Sequence, residues 1–317
     1  MKRFFLFSAL LVVALLGLSV ACAAPAPTAA PTAALPTAPP APPTATVAPT
    51  TAASSDNAAP GALAQGIVNA RDATIYRVNL TISGKGAFMA AGGATPDAAA
   101  DEAVTLMTMQ GEVNQQNTHF VIQGLLTSLL GIDPTKPFEV IRVDDVTYVK
   151  GPAPLIGATE ERWYQAPPEA ASLAQPPMSP ASFLNSFGDT GLDPADFKLT
   201  GSEALDGKAC QVYAGDKAAV VNAFNRFGGA AGATQEDLDS IESAEFKFWV
   251  CEDGYVHRVK MLIEGHDQTN PTQKSAFDLS LQLTDFDGDF TITPPADAIP
   301  LLLPSAETPE PDVTPTP

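Results

Sequence analysis

Apolar and polar positions alternate most cleanly between residues 244 and 263, where Phe246, Phe248 and Val250 precede a turn and His257, Val259 and Met261 follow it. Asp253-Gly254 lies between the two runs, a dipeptide suited to positive φ at both centres of a two-residue turn. With that turn, Glu252 stands opposite Tyr255 and the pairs Val250/His257, Phe248/Val259 and Phe246/Met261 form an apolar face. The alternate pairs, Cys251/Val256, Trp249/Arg258 and Lys247/Lys260, make a wetter face on which Arg258 can stack on Trp249. Two lysines opposite one another are unfavourable unless Glu245 or Glu264 relieves them. Residues 277–283 repeat the alternation, with Phe277, Leu279, Leu281 and Leu283 on one side and Asp278, Ser280 and Gln282 on the other. The pattern predicts an antiparallel sheet with one apolar face.

Earlier segments extend that sheet. Residues 75–83 place Val78, Leu80 and Ile82 on one face, residues 103–113 carry Leu106, Met107 and Met109, and residues 117–123 carry Phe120 and Ile122. Between the first two lies a Gly- and Ala-rich loop, and a connection of that length is either unstructured or a working flap. Leu125, Leu126, Leu129 and Leu130 recur at helical spacing and predict a short apolar helix. Strands follow at 138–143 and 146–149 around Asp144-Asp145, and a short one at 162–164. A proline-rich connection then leads to a helix at 180–187 with Ser179 as N-cap, Pro180 at its first position, and Phe183, Leu184 and Phe187 in its stripe. A hairpin is expected around Asp206-Gly207, then a helix over 216–227 bearing Val220, Val221, Phe224 and Phe227, and another over 234–241.

Both ends of the chain are of another kind. Lys2-Arg3 and the apolar run 4–20 have the make-up of a secretory signal, and the run ends at Ala21-Cys22. A small residue before a cysteine at that place resembles the lipobox of bacterial lipoproteins, in which the cysteine is diacylated and becomes the mature N-terminus. Residues 1–21 are thus read as a lipoprotein signal peptide and Cys22 as the lipidation site. Residues 22–60 are Ala, Pro and Thr with almost no charge, a composition that cannot offset its ordering entropy and makes a solvated stalk reaching on the order of 100 Å. Residues 304–317 read as a disordered tail, which leaves 61–303 as one folded domain.

The chain has 17 Lys plus Arg against 36 Asp plus Glu, and without Lys2 and Arg3 the balance is 15 against 36. Such a surface repels nucleic acid and anionic headgroups, so no nucleic-acid partner is expected and membrane attachment falls to lipid on Cys22. The other two cysteines, Cys210 and Cys251, are an even pair in an oxidising compartment. Their segments fit neighbouring strands, and a bridge would be worth about 4 kcal/mol on the chain-entropy account. Two buried thiols are the alternative.

These features together, with Gly201-Ser202-Glu203 and Asp206-Gly207 before a strand, Trp249 near Glu252-Asp253-Gly254, and Thr293-Pro294-Pro295-Ala296 near the end, resemble the LppX/LprG group of bacterial lipoproteins, related in fold to LolA. The resemblance spans most of 75–299 and rests on overall pattern; the stalk and the proline-rich segment around Pro167–Pro180 depart from it. It implies an α+β fold, a strongly curved antiparallel sheet forming an unclosed half-barrel, with short helices over its concave face and an apolar cavity for acyl chains. On that expectation the sheet residues Val78, Leu80, Met107, Met109, Phe120, Ile122, Phe248, Val259, Met261, Leu279 and Leu281 line the cavity. Leu125, Leu126, Leu129, Phe183, Phe187 and Phe227 cover it. The implied setting is the outer face of the bacterial cytoplasmic membrane, the implied partner a lipid or acylated ligand, and the protein is expected to act as a monomer.

Catalytic patterns are absent. His119, His257 and His266 are scattered, there is no GxSxG elbow, and Asp285-Phe286-Asp287-Gly288-Asp289 lacks the glycine offset and final acid of a calcium loop. No metal, cofactor or enzymatic activity is expected, and His257 reads as a core histidine. Two functions remain: a carrier whose apolar face is hollow, and a surface scaffold or sensor whose same residues close a core. Both need the same stripes.

Overall fold

The computed structural model describes residues 59–86, 103–154, 157–168, 193–221, 239–266 and 271–301. Cys22, the stalk as far as residue 58, the tail, Phe183, Phe187, Phe227, the helix expected at 180–187, residues 222–227 of the one expected at 216–227 and most of that expected at 234–241 lie outside them, as does the side chain of Leu129. Residues 59 and 60 of the expected stalk are helical.

Alternating segments become strands wherever the sequence has a period of two. They are β1 (Ile75–Lys85), β2 (Val104–Asn114), β3 (Asn117–Gln123), β4 (Phe138–Val143), β5 (Val146–Lys150) and β6 (Trp163–Gln165), then β7 (Lys198–Leu205), β8 (Lys208–Gly215), β9 (Ile241–Cys251), β10 (Val256–His266), β11 (Lys274–Thr284) and β12 (Ile299–Pro300). All join one sheet in the order β12-β6-β5-β4-β3-β2-β1-β11-β10-β9-β8-β7, antiparallel except where β12 runs parallel to β6. Two meanders therefore flank β1, and the sheet stays open, with β7 and β12 at its edges. Among the described residues the fold is predominantly β with few short helices, as the sequence pattern anticipates.

Turn chemistry explains the connections. Asp144-Asp145 and Asp206-Gly207 both take positive φ at two successive residues and make two-residue turns that set the β4/β5 and β7/β8 registers. Asp253-Gly254 behaves differently from expectation. Gly254 N–H donates to the Cys251 carbonyl (2.9 Å) and Cys251 N–H to that of Tyr255 (3.0 Å), so Glu252, Asp253 and Gly254 form a three-residue loop with only Gly254 at positive φ (80°). Val256 consequently faces Val250 instead of Cys251, and a bulge at His257 restores the expected register from Trp249/Arg258 through Phe248/Val259 to Phe246/Met261. The cause is tertiary: the Asp253 carboxylate accepts hydrogen bonds from Lys208 and from His257 Nε2 (3.0 Å), and Asn69 Nδ2 donates to the Gly254 carbonyl (2.8 Å).

Leu125–Leu130 is a 3-10 helix ended by Gly131 at φ 73°. Asp216 caps the following turn, its Oδ1 accepting from the amides of Ala218 (2.9 Å) and Ala219 (3.3 Å), and residues 217–221 are helical. Helix α1 (Ala59–Asp72) has no counterpart in the expected elements, although Leu63, Ile67 and Ala70 recur along one of its sides. Leu63 and Ala70 are buried, and Gly66 allows close approach, since a Cβ there would lie 2.9 Å from Val250 Cγ1.

The second face of the sheet is less wet than its alternation implies. At the β7–β9 end Leu205, Val212, Trp249 and the two cysteines form a small buried cluster, and Trp249 Nε1 donates to Glu203 (2.8 Å) while Arg258 lies over its ring. Toward the other end the chain after β11 crosses this face: Phe290 lies under Arg77, its carbonyl accepts from Asn114 Nδ2, and Ile292 packs on Ile141 and Val143. It then reaches β6 as β12. The expected lysine apposition, Lys247 opposite Lys260, is present, relieved by Glu245 at 2.8 Å and by Asp278 at 3.3 Å.

Candidate functional site

Strand register places one buried side chain per strand into a row that crosses eight strands: Tyr213, Phe248, Val259, Leu281, Leu80, Met109, Ile122 and Phe138. A parallel row holds Phe246, Met261, Leu279, Ile82 and Met107. A third contains Leu283, Val78, Phe120 and Val140, with Gly111 between Val78 and Phe120. Gly111 is needed there, because a Cβ would lie 2.4 Å from Phe120 Cδ1 and 2.5 Å from the His119 carbonyl oxygen.

Every described sheet residue expected to line a cavity falls in one continuous core, and Leu125 and Leu126 of the 3-10 helix pack against it. Eight strands at about 4.8 Å spacing make the face about 34 Å wide, and the run from Phe277 to Leu283 makes it about 20 Å long, on the order of 700 Å². Helix α1, 14 residues, is about 21 Å long and about 10 Å wide with its side chains, so it covers about a third of that area. It packs against β7, β9 and β10, while the 3-10 helix packs against β2 and β3. Phe197 and Val220 join the same core, and Leu80, Ile82, Leu279 and Leu281 on β1 and β11 are 1–3 % exposed.

The ends of the face differ in character. At the β9 end Phe197, Phe246 and Phe248 meet edge-to-face or tilted at 4.7–5.7 Å, a packed aromatic group. The centre is aliphatic and thioether, with Met107, Met109 and Met261 adaptable in shape. Polar groups gather at the rim beside the 252–254 loop. His257 is only 2 % exposed, clamped to Asp253 through Nε2, with its Nδ1 buried and without a partner. Burial opposes ionisation of Asp253, but the hydrogen bonds from Lys208 and His257 hold its carboxyl below the usual range. Tyr76, at the same end, has its phenol pushed up to about 12 by burial. The Asp285–Asp289 turn is engaged elsewhere: Asp285 pairs with Arg77 (2.7 Å) and Asp287 accepts from Tyr255 (3.3 Å). No group of three or more metal-ligating side chains occurs among the described residues.

Cys210 and Cys251 stand directly opposite each other on β8 and β9 and are joined as a disulfide, which resolves the alternatives left by the sequence. They sit in the small buried cluster rather than on an open wet face. A disulfide of this kind belongs to an oxidising, extracytoplasmic setting.

No family model matches the chain, and no curated protein matches it by sequence. Among solved structures it is similar to LprF from Mycobacterium bovis, at 16% identity and TM-score 0.41, covering 76% of this chain and 98% of that one. The Mycobacterium tuberculosis lipoprotein LppX gives 13% identity and TM-score 0.37 over 75% of this chain and 100% of its own. A LolA superfamily protein from Nitrosomonas europaea gives 11% and 0.22 over 74% and 94%. The chain thus has structural matches to LprF, LppX and a LolA superfamily protein over about three quarters of its length, at low identity.

Proposed function

We propose that the protein is an extracytoplasmic lipoprotein, anchored through acylated Cys22 on the outer face of the bacterial membrane, that binds a lipid or acylated ligand on the apolar face of its sheet. The observation that carries this reading is the continuity of that face, since strand register sets Phe248, Val259, Leu281, Leu80, Met109 and Ile122 in one unbroken apolar row. An apolar surface eight strands wide is large enough for extended acyl chains to lie along it. The thioether side chains of Met107, Met109 and Met261 suit a ligand of variable shape. The stalk supplies reach from the membrane surface, and the acidic surface keeps the folded domain off anionic headgroups.

A scaffold or sensor with a filled core is favoured by one observation, the packed aromatic group of Phe197, Phe246 and Phe248 at one end of the same face. Native mass spectrometry of the full chain purified from its own host decides between them. A carrier retains discrete mass increments that organic solvent releases. Protein that flies at its lipidated chain mass alone, after mild extraction, overturns the carrier reading.

A further inference from the structure

The opposite face of the sheet carries a groove of about 450 Å³ lined by side chains of four adjacent strands. Its size lies within the range of ligand sites, about 300 to 1,000 Å³. Cross-strand register arranges the lining in two rows. Gln282, Asn79 and Gln110 stand side by side on β11, β1 and β2, and Thr284, Arg77, Glu112 and His119 stand side by side on β11, β1, β2 and β3. The rows are two residues apart along the strands, about 7 Å.

The charge in this groove is already satisfied within the protein. Arg77 binds Glu112 through Nε (2.8 Å) and Asp285 through Nη1 (2.7 Å), and its guanidinium lies over the Phe290 ring. An anionic ligand therefore meets a cation with two carboxylates on it, and a cationic ligand meets a carboxylate already paired. What remains is the His119 ring, whose Nε2 is buried 3.7 Å from Glu139, and neutral hydrogen-bonding capacity. Asn79 and Gln110 are exposed, and their amide groups make no side-chain hydrogen bond among the described residues, whereas Gln282 donates to Asp206 (2.7 Å). Each free amide offers two donors and an acceptor on one rigid plane, and a vicinal diol presents the complementary set.

We propose that this groove binds a short neutral glycan, with Asn79 and Gln110 as its principal hydrogen-bonding residues and the Arg77 side chain as one wall. The site is separate from the apolar face and does not depend on lipid binding. Four strands span about 14 Å, room for roughly two or three sugar rings. Strand pairing fixes the backbone that carries these side chains, while the exposed Asn79 and Gln110 give up rotamer freedom on binding.

The test is an NMR titration of the full mature chain with maltotriose, cellotriose, mannotriose and N,N′-diacetylchitobiose, with trigalacturonate as the anionic control. At least one neutral sugar should shift the side-chain amide resonances of Asn79 and Gln110. The exposed double variant Asn79→Ala/Gln110→Ala should retain the wild-type melting temperature and bind that sugar about tenfold more weakly, the loss expected for a few net hydrogen bonds. The proposal is overturned if none of the four sugars shifts these resonances, if the double variant binds as the wild type does, or if trigalacturonate binds as well as the neutral sugars.

Discussion

Replacing Val259 by tryptophan separates a hollow apolar face from a filled one. Val259 is fully buried, third in the eight-strand row on β10, against which helix α1 also packs, flanked by Phe248 and Leu281 and followed on its own strand by Met261. If protein atoms fill the space above it, the indole must displace neighbours, and overpacking of this kind costs about 1 to 3 kcal/mol. For a domain of this size each kcal/mol lowers Tm by about 2 to 4 °C, so a filled core predicts a fall of about 2 to 12 °C. If acyl chains occupy the space, the ring takes their place, Tm of the delipidated protein holds to within about 2 °C, and uptake of a fluorescent fatty-acid probe falls. Delipidated forms must be compared, because bound ligand raises apparent stability by mass action. A drop in Tm together with no probe binding by the wild type refutes the carrier reasoning. A drop in Tm with undiminished probe binding moves the ligand off this part of the sheet.

Cys22→Ala should abolish partitioning into the detergent phase, and unchanged partitioning removes the lipid anchor. Cutting the Cys210–Cys251 link by a Cys210→Ala/Cys251→Ala double substitution opens a bridge between residues 41 apart. Denaturant unfolding should show a loss of about 4 kcal/mol, and a loss below about 1 kcal/mol would refute the chain-entropy account here. Gly111→Ala forces a Cβ against the Phe120 ring and the His119 carbonyl, so it should cost at least about 1 to 3 kcal/mol, where a neutral effect would mean that β2 and β3 separate easily. Glu139 is held down to about 2 by His119 and, against desolvation, by Lys150. Because its folded pKa is depressed, it stabilises the protein above its ordinary value near 4.5 and that contribution is lost as pH falls toward 2. Glu139→Gln should flatten the decline in Tm across that window, and an unchanged acid profile would exclude the pairing as its source.

Alternation alone determined most of the sheet, because a half-buried strand writes its period of two directly into the chain. The limits of β3 and β4, the apolar faces of β1 and β11, and the Phe248/Val259 register follow from it. Cysteine parity indicated a pairing that strand order then made possible by setting β8 beside β9. What the local pattern left undecided depends on contacts distant in sequence. Asp206-Gly207 and Asp253-Gly254 are the same dipeptide, yet only the first makes a two-residue turn, since Lys208, His257 and Asn69 hold the second in a longer loop. Helix α1 is short on apolar residues because Gly66 and Ala70 permit close approach, so its stripe is faint in the sequence while its packing is tight. The passage of the chain after β11 over the outer face leaves no periodic signal at all, since Phe290 and Ile292 are single anchors in an irregular segment. The amide row of Gln282, Asn79 and Gln110 likewise comes from three segments far apart in the chain and exists only once β1 stands between β11 and β2. Local periodicity fixes which side chains share a face; only the order of strands decides which faces meet.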